Sequence, residues 1–181
     1  MAEPKRIYLA GPEVFFPAGE HQAIVAEKKR LLREYGFDGV DPLDTVLTFS
    51  GDEARPDRGH RIYHANRELM DSCEAIIANL TPFRGISADP GTVFEVGYMI
   101  GQGKPAFGFT LERRHYHGRA GATDLDQLGH TIENFGMSDN LMIEGGIRDS
   151  GGQLFVADQP GEHRFFSAQL FQLCVRALAH T

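Results

Sequence analysis

Apolar runs that alternate with helical stretches constrain the fold of this chain more than any other feature of its sequence. The segments "RIYLA" at 6–10, "EAIIANL" at 74–80 and "KPAFGFT" at 104–110 are apolar along most of their length. Strands that are buried on both faces have this composition, whereas a strand with one face in solvent alternates apolar and polar residues. Such strands, separated by helices, predict an α/β fold with a parallel sheet that helices cover on both faces.

The other elements predict a sheet of five parallel strands. Two further strands are predicted at 37–41 and 153–157, and helices are predicted at 19–35, 59–72, 91–103 and 163–179. Residues 111–138 are irregular, and the next residues, Asp139, Asn140 and Met142, by themselves predict a turn that enters a strand. No internal repeat or low-complexity linker divides the chain, so residues 1–181 are predicted to form a single domain.

The loops that follow the strands indicate where a ligand would bind. Loops 11–17, 42–58 and 81–90 each follow a predicted strand. In open parallel sheets, ligands lie outside the carboxyl ends of the strands, and these loops would meet at that edge. We therefore expect the functional residues in or beside these three loops.

The charge and the apolar segments narrow the class of protein. The net charge is −7, and a protein that binds a nucleic-acid polymer usually has a basic face, so no such partner is predicted. A nucleoside ligand remains compatible with this charge. No apolar run approaches the roughly 18 residues of a membrane span, and the N-terminus lacks the apolar core of a signal peptide. These features fit a cytoplasmic enzyme or binding domain without a membrane partner.

Neither the cysteines nor the histidines form a metal-binding pattern. Cys73 and Cys174 are far apart in apolar surroundings and are predicted to be reduced core residues. His60 and His64 are four residues apart, as in a helical metal-binding pair, but no third ligand accompanies them. No metal and no other cofactor is therefore predicted.

A lone acid, Glu95, lies in the otherwise apolar stretch of "DPGTVFEVGYMIGQG" at 89–103 that follows Asp89. A buried carboxylate is costly unless it pairs or becomes neutral. The ordinary interpretation is a side chain that reaches solvent or pairs with an arginine. The helix offers little polar surface for that, and Thr92 lies one turn earlier, where its hydroxyl could hold the carboxylate. Glu95 is therefore a candidate for chemistry in a sheltered site.

Asp89 is the predicted N-cap of the same helix, at the edge where ligands bind. Residues six apart on a helix do not share a face, so Asp89 can approach Glu95 only from the loop, by turning back over the helix. Two carboxylates at a crevice are typical of glycosidic-bond chemistry, in which one attacks the anomeric carbon and a second group handles the leaving group's proton. A plain N-cap remains the alternative role of Asp89.

Four segments together resemble the nucleoside 2-deoxyribosyltransferase family. They are "RIYLAGPEVF" at the first strand, "CEAIIANLTPFRG" at the third, "DPGTVFEVGY" at the following helix and "DNLM" near residue 140. The resemblance spans roughly residues 6 to 145. It implies a flavodoxin-like doubly wound fold and the transfer of 2-deoxyribose between nucleobases with retention and without a metal. The implied partners are small-molecule deoxynucleosides and free nucleobases.

The resemblance also implies roles for single residues. Glu95 matches the family's nucleophile, Tyr8 the tyrosine that orients it, and Asp89 an acid that contacts the sugar hydroxyls. Asn140 and Met142 match residues that one subunit lends to a neighbouring pocket, so a homo-oligomer is expected. With the family match, the backbone of Gly11 and Pro12 would approach the sugar, whereas alone the pair predicts only a tight turn. Apart from the resemblance, Phe15 and Phe16 are either core residues or one of them walls the base. Phe15 and Thr92 are candidate substrate contacts.

Asn66 departs from the family's pattern. Many members have an aspartate eight residues before the position that Glu74 holds here. An amide can hydrogen-bond a base but cannot protonate it. If Asn66 holds that place, the proton comes from Asp89, from water or from the purine itself, and base preference is left open.

Two other functions stay open on the sequence. The first is an N-glycoside hydrolase of nucleosides, deoxynucleosides or their 5′-monophosphates, for which Thr81, Arg84 and Ser87 could bind the phosphate. Arg84 alone is more typical of a structural residue. The second is a nucleotide-binding module without catalysis.

Overall fold

The five strands pair in parallel in the order β2-β1-β3-β4-β5. The structure, a computed structural model, describes residues 3–161 and 163–181. The strands are β1 Arg6–Ala10, β2 Asp38–Val40, β3 Ala75–Asn79, β4 Ala106–Thr110 and β5 Leu154–Val156. In register, Tyr8 lies opposite Val40 on one side and Ile76 on the other. The predicted α/β fold with a doubly wound parallel sheet is confirmed.

Helices cover both faces of this sheet. They are α1 Ala18–Arg33, α2 Arg55–Asp71, α3 Pro90–Gly101, α4 Tyr116–Arg119, α5 Leu141–Asp149 and α6 Ala168–Leu178, with single 3₁₀ turns at Pro12–Phe15 and Pro42–Asp44. Successive strand residues point to opposite faces. Ile7 and Leu9 pack with α1 and α6, whereas Tyr8 and Ala10 face the side that α3 and α5 cover. This alternation places the Tyr8 side chain beneath α3.

The chain becomes helical at Leu141, so the prediction that the turn at 139–140 enters a strand was wrong. The side chain of Asn140 caps α5 by accepting a hydrogen bond from Met142 N at 3.0 Å. Ile143 and Ile147, one turn apart, are buried against the sheet. A Cβ atom at Gly146 would lie 3.3 Å from Ile100 Cδ1, so this glycine permits α5 to pack closely against α3.

Each boundary of the four predicted helices is shifted by one to five residues, and three of the shifts have a clear local cause. Helix α2 begins at Arg55 rather than at 59, because Pro56 occupies its first turn, where a missing N–H costs nothing. Helix α1 ends at Arg33, three residues before Gly36, which has a positive φ of 78°. Helix α6 begins at Ala168 rather than at 163, since Ser167 caps it by accepting from Leu170 N at 3.3 Å. No helix in the described part of the chain is long and apolar enough to cross a membrane.

Candidate active site

The carboxyl ends of β1 and β3 form the crevice of this sheet. From β1 the chain turns to β2 on one side, and β3 lies on the other, so the strand order reverses at β1. Three acids gather there. Asp41 directly follows β2, Asp89 directly precedes α3, and Glu95 lies on the second turn of α3. Tyr8 reaches the same place from the middle of β1.

Glu95 is held by a phenol rather than by a cation. The Tyr8 hydroxyl donates a hydrogen bond to Glu95 Oε1 at 2.8 Å. The Tyr8 side chain is fully buried, and Glu95 is half-buried. No ion pair joins Glu95 to a lysine, arginine or histidine among residues 3–161 and 163–181. Of the two ordinary interpretations of Glu95, the pair with an arginine therefore does not apply, whereas its half-buried state is compatible with a side chain that reaches solvent.

The surroundings of Glu95 favour its neutral form. Burial raises the pKa of the Glu95 carboxyl to about 7; the hydrogen bond from Tyr8 opposes this rise, and the negative charges of Asp89 and Asp41 add to it. Burial and the nearby Glu95 carboxylate also raise the pKa of the Tyr8 hydroxyl far above its ordinary value. Tyr8 therefore remains a hydrogen-bond donor, and Glu95 titrates close to neutral pH.

Asp89 is the N-cap of α3. Its Oδ2 accepts from Thr92 N at 3.1 Å, and the Thr92 hydroxyl lies 3.5 Å from the same oxygen. The expectation that this hydroxyl holds Glu95 was wrong, because the threonine points back to the cap. Asp89 lies in the loop and its charge acts on Glu95, which is the arrangement that lets two residues six apart converge. The cap uses Oδ2 and leaves the other oxygen, Oδ1, for other partners.

A buried polar cluster anchors the loop after β1. Glu13 and Lys28 are 3% and 2% exposed, and Lys28 Nζ donates to Glu13 Oε1 at 2.6 Å. Asn79 Nδ2 donates to the same oxygen at 2.9 Å and to the carbonyl of Phe165 at 2.6 Å. A Cβ atom at Gly11 would lie 1.9 Å from Glu13 Oε2, so only glycine leaves room for this carboxylate. Gly11 and Pro12 are buried in this way at the edge of the crevice.

Phe15 lies at the end of the anchored loop and is 51% exposed. Its ring stacks on Phe83 with centroids 5.6 Å apart. The Arg84 guanidinium lies 4.7 Å from the centroids of both rings. Arg84 has a φ of 57°, which is strained for a residue with a side chain. Phe15 thus has an exposed aromatic surface beside the crevice, and Arg84 packs on it.

Asn66, Asn140 and Met142 lie on helices beside α3. Asn66 is half-buried on α2, one turn after Tyr63, whose ring is 6.2 Å from that of Phe94 on α3. The Asn140 amide donates to Glu133 Oε1 at 2.6 Å in its own chain. Met142 is 74% exposed. The structure therefore presents Met142 outward, while the Asn140 side chain is engaged by its own chain.

Sequence reasoning missed Asp41 and His21. Asp41 is 4% exposed, and its carboxylate accepts from Leu43 N at 3.0 Å and lies 3.2 Å from His21 Nε2. His21, on α1, is 8% exposed. The sequence contained a signal for Asp41, since this residue ends the predicted strand 37–41 at the carboxyl edge of the sheet. His21 gave no signal, because only the fold brings α1 beside β2.

In the part of the chain that the structure describes, the cysteines and histidines away from this crevice form no metal cluster. Cys73 and Cys174 are free and buried, and burial raises the pKa of the Cys73 thiol to about 11. The rings of His60 and His64 lie edge to face, with their centroids 4.4 Å apart. Within residues 3–161 and 163–181, no three His, Cys, Asp or Glu side chains are placed to hold a metal ion.

Comparison with known proteins connects this crevice to one family. The family model described as nucleoside 2-deoxyribosyltransferase matches residues 7–142, a range that contains all the residues of the crevice. An uncharacterized protein of Schizosaccharomyces pombe, C191.05c, is 34% identical, with 86% of this chain and 83% of that protein covered.

Two solved structures share the fold. A 2-desoxiribosyltransferase from Leishmania mexicana is 27% identical with a TM-score of 0.69, covering 96% of this chain and 98% of the other. A conserved protein from Enterococcus faecalis V583 is 20% identical with a TM-score of 0.59 over the same shares of the two chains, a likeness that concerns the fold alone.

Proposed function

The chain belongs to the nucleoside 2-deoxyribosyltransferase family, and from that premise we propose that it transfers 2-deoxyribose between nucleobases. The observation that carries the proposal is Glu95. Its carboxylate is sheltered at the carboxyl edge of the sheet, bound by a buried phenol and without a cation. A salt bridge would lower the nucleophilicity of a carboxylate, whereas a single hydrogen bond orients it. Family members act on small nucleosides and nucleobases, which supports this class of substrate.

In the proposed first step, ionised Glu95 attacks C1′ of a 2′-deoxynucleoside. A C1′–O bond forms, the C1′–N bond breaks, and the electron pair of that bond leaves with the base, which takes up a proton. In the second step a ring nitrogen of another base attacks C1′ from the face that the first base left and gives up its proton to the group that protonated the first base. The C1′–O bond breaks, and its electron pair returns to the Glu95 carboxylate. Two inversions give retention. The pKa of about 7 leaves a substantial fraction of Glu95 ionised at neutral pH.

The other residues of the crevice take supporting roles in this proposal. Tyr8 orients the nucleophile, and the free oxygen of Asp89 faces the sugar hydroxyls or supplies the proton. The Gly11–Pro12 backbone and Phe15 border the sugar and the base, and Thr92 holds Asp89 in place. Asn66 hydrogen-bonds the base without protonating it. The proton for the leaving base then comes from Asp89, water or the purine.

A 5′-phosphate receives less support from the geometry. Thr81 is 6% exposed, and its hydroxyl oxygen already accepts from Leu111 N at 3.1 Å. The Ser87 hydroxyl donates to Asp139. Arg84 alone among the three candidate phosphate ligands is exposed. We therefore propose nucleosides rather than their monophosphates as substrates.

Incubation with deoxyinosine, with and without free adenine, tests transfer against hydrolysis. We expect deoxyadenosine to form only when adenine is present, because the glycosyl-enzyme waits for a second base in a site that limits water. Chromatography would measure both nucleosides and the released hypoxanthine. Equal release of hypoxanthine with and without adenine, and no new nucleoside, would make the protein a hydrolase. Deoxyinosine 5′-monophosphate serves as the matched substrate, and faster turnover of it would contradict the preference for nucleosides.

We further propose a homo-oligomer in which Met142 completes a neighbouring pocket, with Asn140 beside it holding the start of α5 through its bonds to Met142 N and Glu133. Exposed apolar side chains occur on α2, α3 and the start of α5, namely Tyr63, Phe94, Leu141 and Met142. These helices are neighbours, since α3 contacts both α2 and α5. A face of this kind is typical of an interface between subunits. Met142 is 74% exposed, so packing within its own chain does not explain why a methionine stands there.

Mixed oligomers test whether Met142 acts in a neighbouring subunit. Met142→Lys is expected to lower transfer at least about 10-fold, since a lysine would enter an apolar part of the pocket. Coexpression of Met142→Lys with Glu95→Gln should restore activity to about a quarter of wild type in a dimer, because half of random dimers hold one complete site. If Met142 acts only in its own subunit, coexpression gives no more than the mean of the two variants alone.

A further inference from the structure

The irregular region 111–138 contributes one buried arginine to the loop that precedes Asp89. Arg119 Nε donates to the carbonyl of Ile86 at 2.7 Å, and Nη1 donates to the carbonyls of Arg114 at 2.7 Å and Ser138 at 2.6 Å. The Arg119 side chain is 3% exposed. A guanidinium with this many backbone partners fixes the relative positions of the segments it joins.

Asp139 holds the same loop through its carboxylate and also lies beside Arg119. Its Oδ2 lies 3.4 Å from Arg119 Nη2, and its side chain is also 3% exposed. The Asp139 carboxylate accepts from the Ser87 hydroxyl, from Ala88 N at 3.0 Å and from Asn140 N at 2.8 Å. The three consecutive residues 86, 87 and 88 are therefore each bonded to Arg119 or to Asp139. The next residue is Asp89.

We infer that Arg119 and Asp139 are positioning residues for Asp89. They touch no reacting atom in the proposed chemistry. They hold residues 86–88 in place, so that Asp89 caps α3 with one carboxylate oxygen and keeps the other free. This inference rests on the proposed function for the role of Asp89. It also gives the irregular region a task, since Arg119 lies at the end of the short helix α4.

The same segment joins two sites in the proposed oligomer. Asp139 bonds to the loop of its own crevice, and the next residue, Asn140, begins the helix that presents Met142 outward. A displacement of residues 139–142 would therefore move Asp89 in one subunit and Met142 toward or away from the neighbour. A loss at Asp139 is expected to affect both sites.

A double-mutant cycle between Asp139→Asn and Asp89→Asn tests the inference. In the wild-type background we expect Asp139→Asn to lower kcat about 10- to 100-fold and to change KM less, because a small misplacement of a catalytic group costs mainly turnover. In the Asp89→Asn background the same change should cost less than about threefold, since the residue it positions has already lost its function. Multiplicative losses in the two backgrounds would overturn the inference.

Control variants separate positioning from general damage. Glu112→Gln breaks the Arg114–Glu112 ion pair in the same region without touching residues 86–88, and is expected to leave kcat unchanged. If Asp139→Asn does not fold, Ser87→Ala removes one arm of the connection, and Arg119→Lys keeps the charge while losing the fork; both should show the same dependence on Asp89 with smaller losses. Multiplicative behaviour of these variants would overturn the inference as well.

Hydrogen–deuterium exchange of the loop is a readout that does not depend on activity. The Ala88 amide donates to Asp139, so exchange across residues 84–91 should be at least about 10-fold faster in Asp139→Asn than in wild type or Glu112→Gln. If the wild-type protein turns over no nucleoside at all, the proposed function fails. The exchange rates alone then decide whether Arg119 and Asp139 hold the loop. Unchanged exchange would overturn the inference whatever the activity.

Discussion

Glu95→Gln is expected to lower kcat for deoxyribose transfer by on the order of 10³-fold or more, about 4 kcal/mol of barrier. Glutamine keeps the size of the side chain and can still accept a hydrogen bond from the Tyr8 hydroxyl, which is 2.8 Å from Glu95 Oε1. It cannot form the covalent bond to C1′. Turnover is measured with deoxyinosine and adenine, and a loss smaller than about 10-fold would remove Glu95 from the mechanism.

The pH dependence of kcat/KM in the wild-type protein gives a second test of the role of Glu95. Only ionised Glu95 can attack, and its pKa is about 7, so kcat/KM should rise as the pH increases through 7. The Tyr8 hydrogen bond lowers the pKa of Glu95 against the effect of burial. Tyr8→Phe should therefore move the rising limb to higher pH. A limb that stays in place in Tyr8→Phe would show that another group sets it.

Glu95→Gln should make the folded protein more stable than wild type at alkaline pH. A carboxyl whose folded pKa lies above its unfolded value holds its proton more tightly in the folded state, so the folded state loses stability as the pH rises through about 7. Glutamine has no such penalty. Thermal unfolding should show Glu95→Gln gaining on wild type between pH 5 and pH 8. A gain of this kind, together with lost turnover, is the signature of a residue kept for function.

Lys28→Met is expected to lower the free energy of unfolding by about 3–5 kcal/mol. The ammonium of Lys28 is 2.6 Å from Glu13 Oε1, and its cation lies 5.7 Å from the ring centroid of Phe109 and 5.8 Å from that of Phe171. Methionine fills similar space but leaves the Glu13 carboxylate buried with Asn79 as its side-chain donor. Urea denaturation measures the change, and an unchanged slope would show that the loss concerns stability alone.

Two controls distinguish the buried charge from a general loss of contacts. The double variant Glu13→Gln/Lys28→Met removes both charges and should recover most of the lost stability, because a neutral amide tolerates this burial better than a carboxylate. Arg30→Met breaks exposed ion pairs with Glu27 and Glu34 on the same helix and should leave stability close to that of wild type. If Lys28→Met loses no more than Arg30→Met, the buried pair contributes little.

The fold and part of the crevice could be predicted because their signals are local. Apolar runs identified β1, β3 and β4, and the lone acid in an apolar helix identified Glu95. The start of α5 was mistaken for a strand, because Leu141, Met142 and Ile143 form an apolar run whose helical spacing appears only when Ile147 is included. Asp41, His21, Arg119 and the Glu13–Lys28 pair depend on contacts between distant segments, which no local pattern reveals.

Gly11 and Glu13 have a consequence for anyone who would redesign base preference. A Cβ atom at position 11 would displace the carboxylate of Glu13, which is held by Lys28 and Asn79. Positions 11 and 13 are therefore best varied together. In a library around Phe15, randomising position 11 alone would force the buried Glu13 side chain to move in almost every clone. Shortening residue 13 and replacing Lys28 at the same time opens sequences that single substitutions cannot reach.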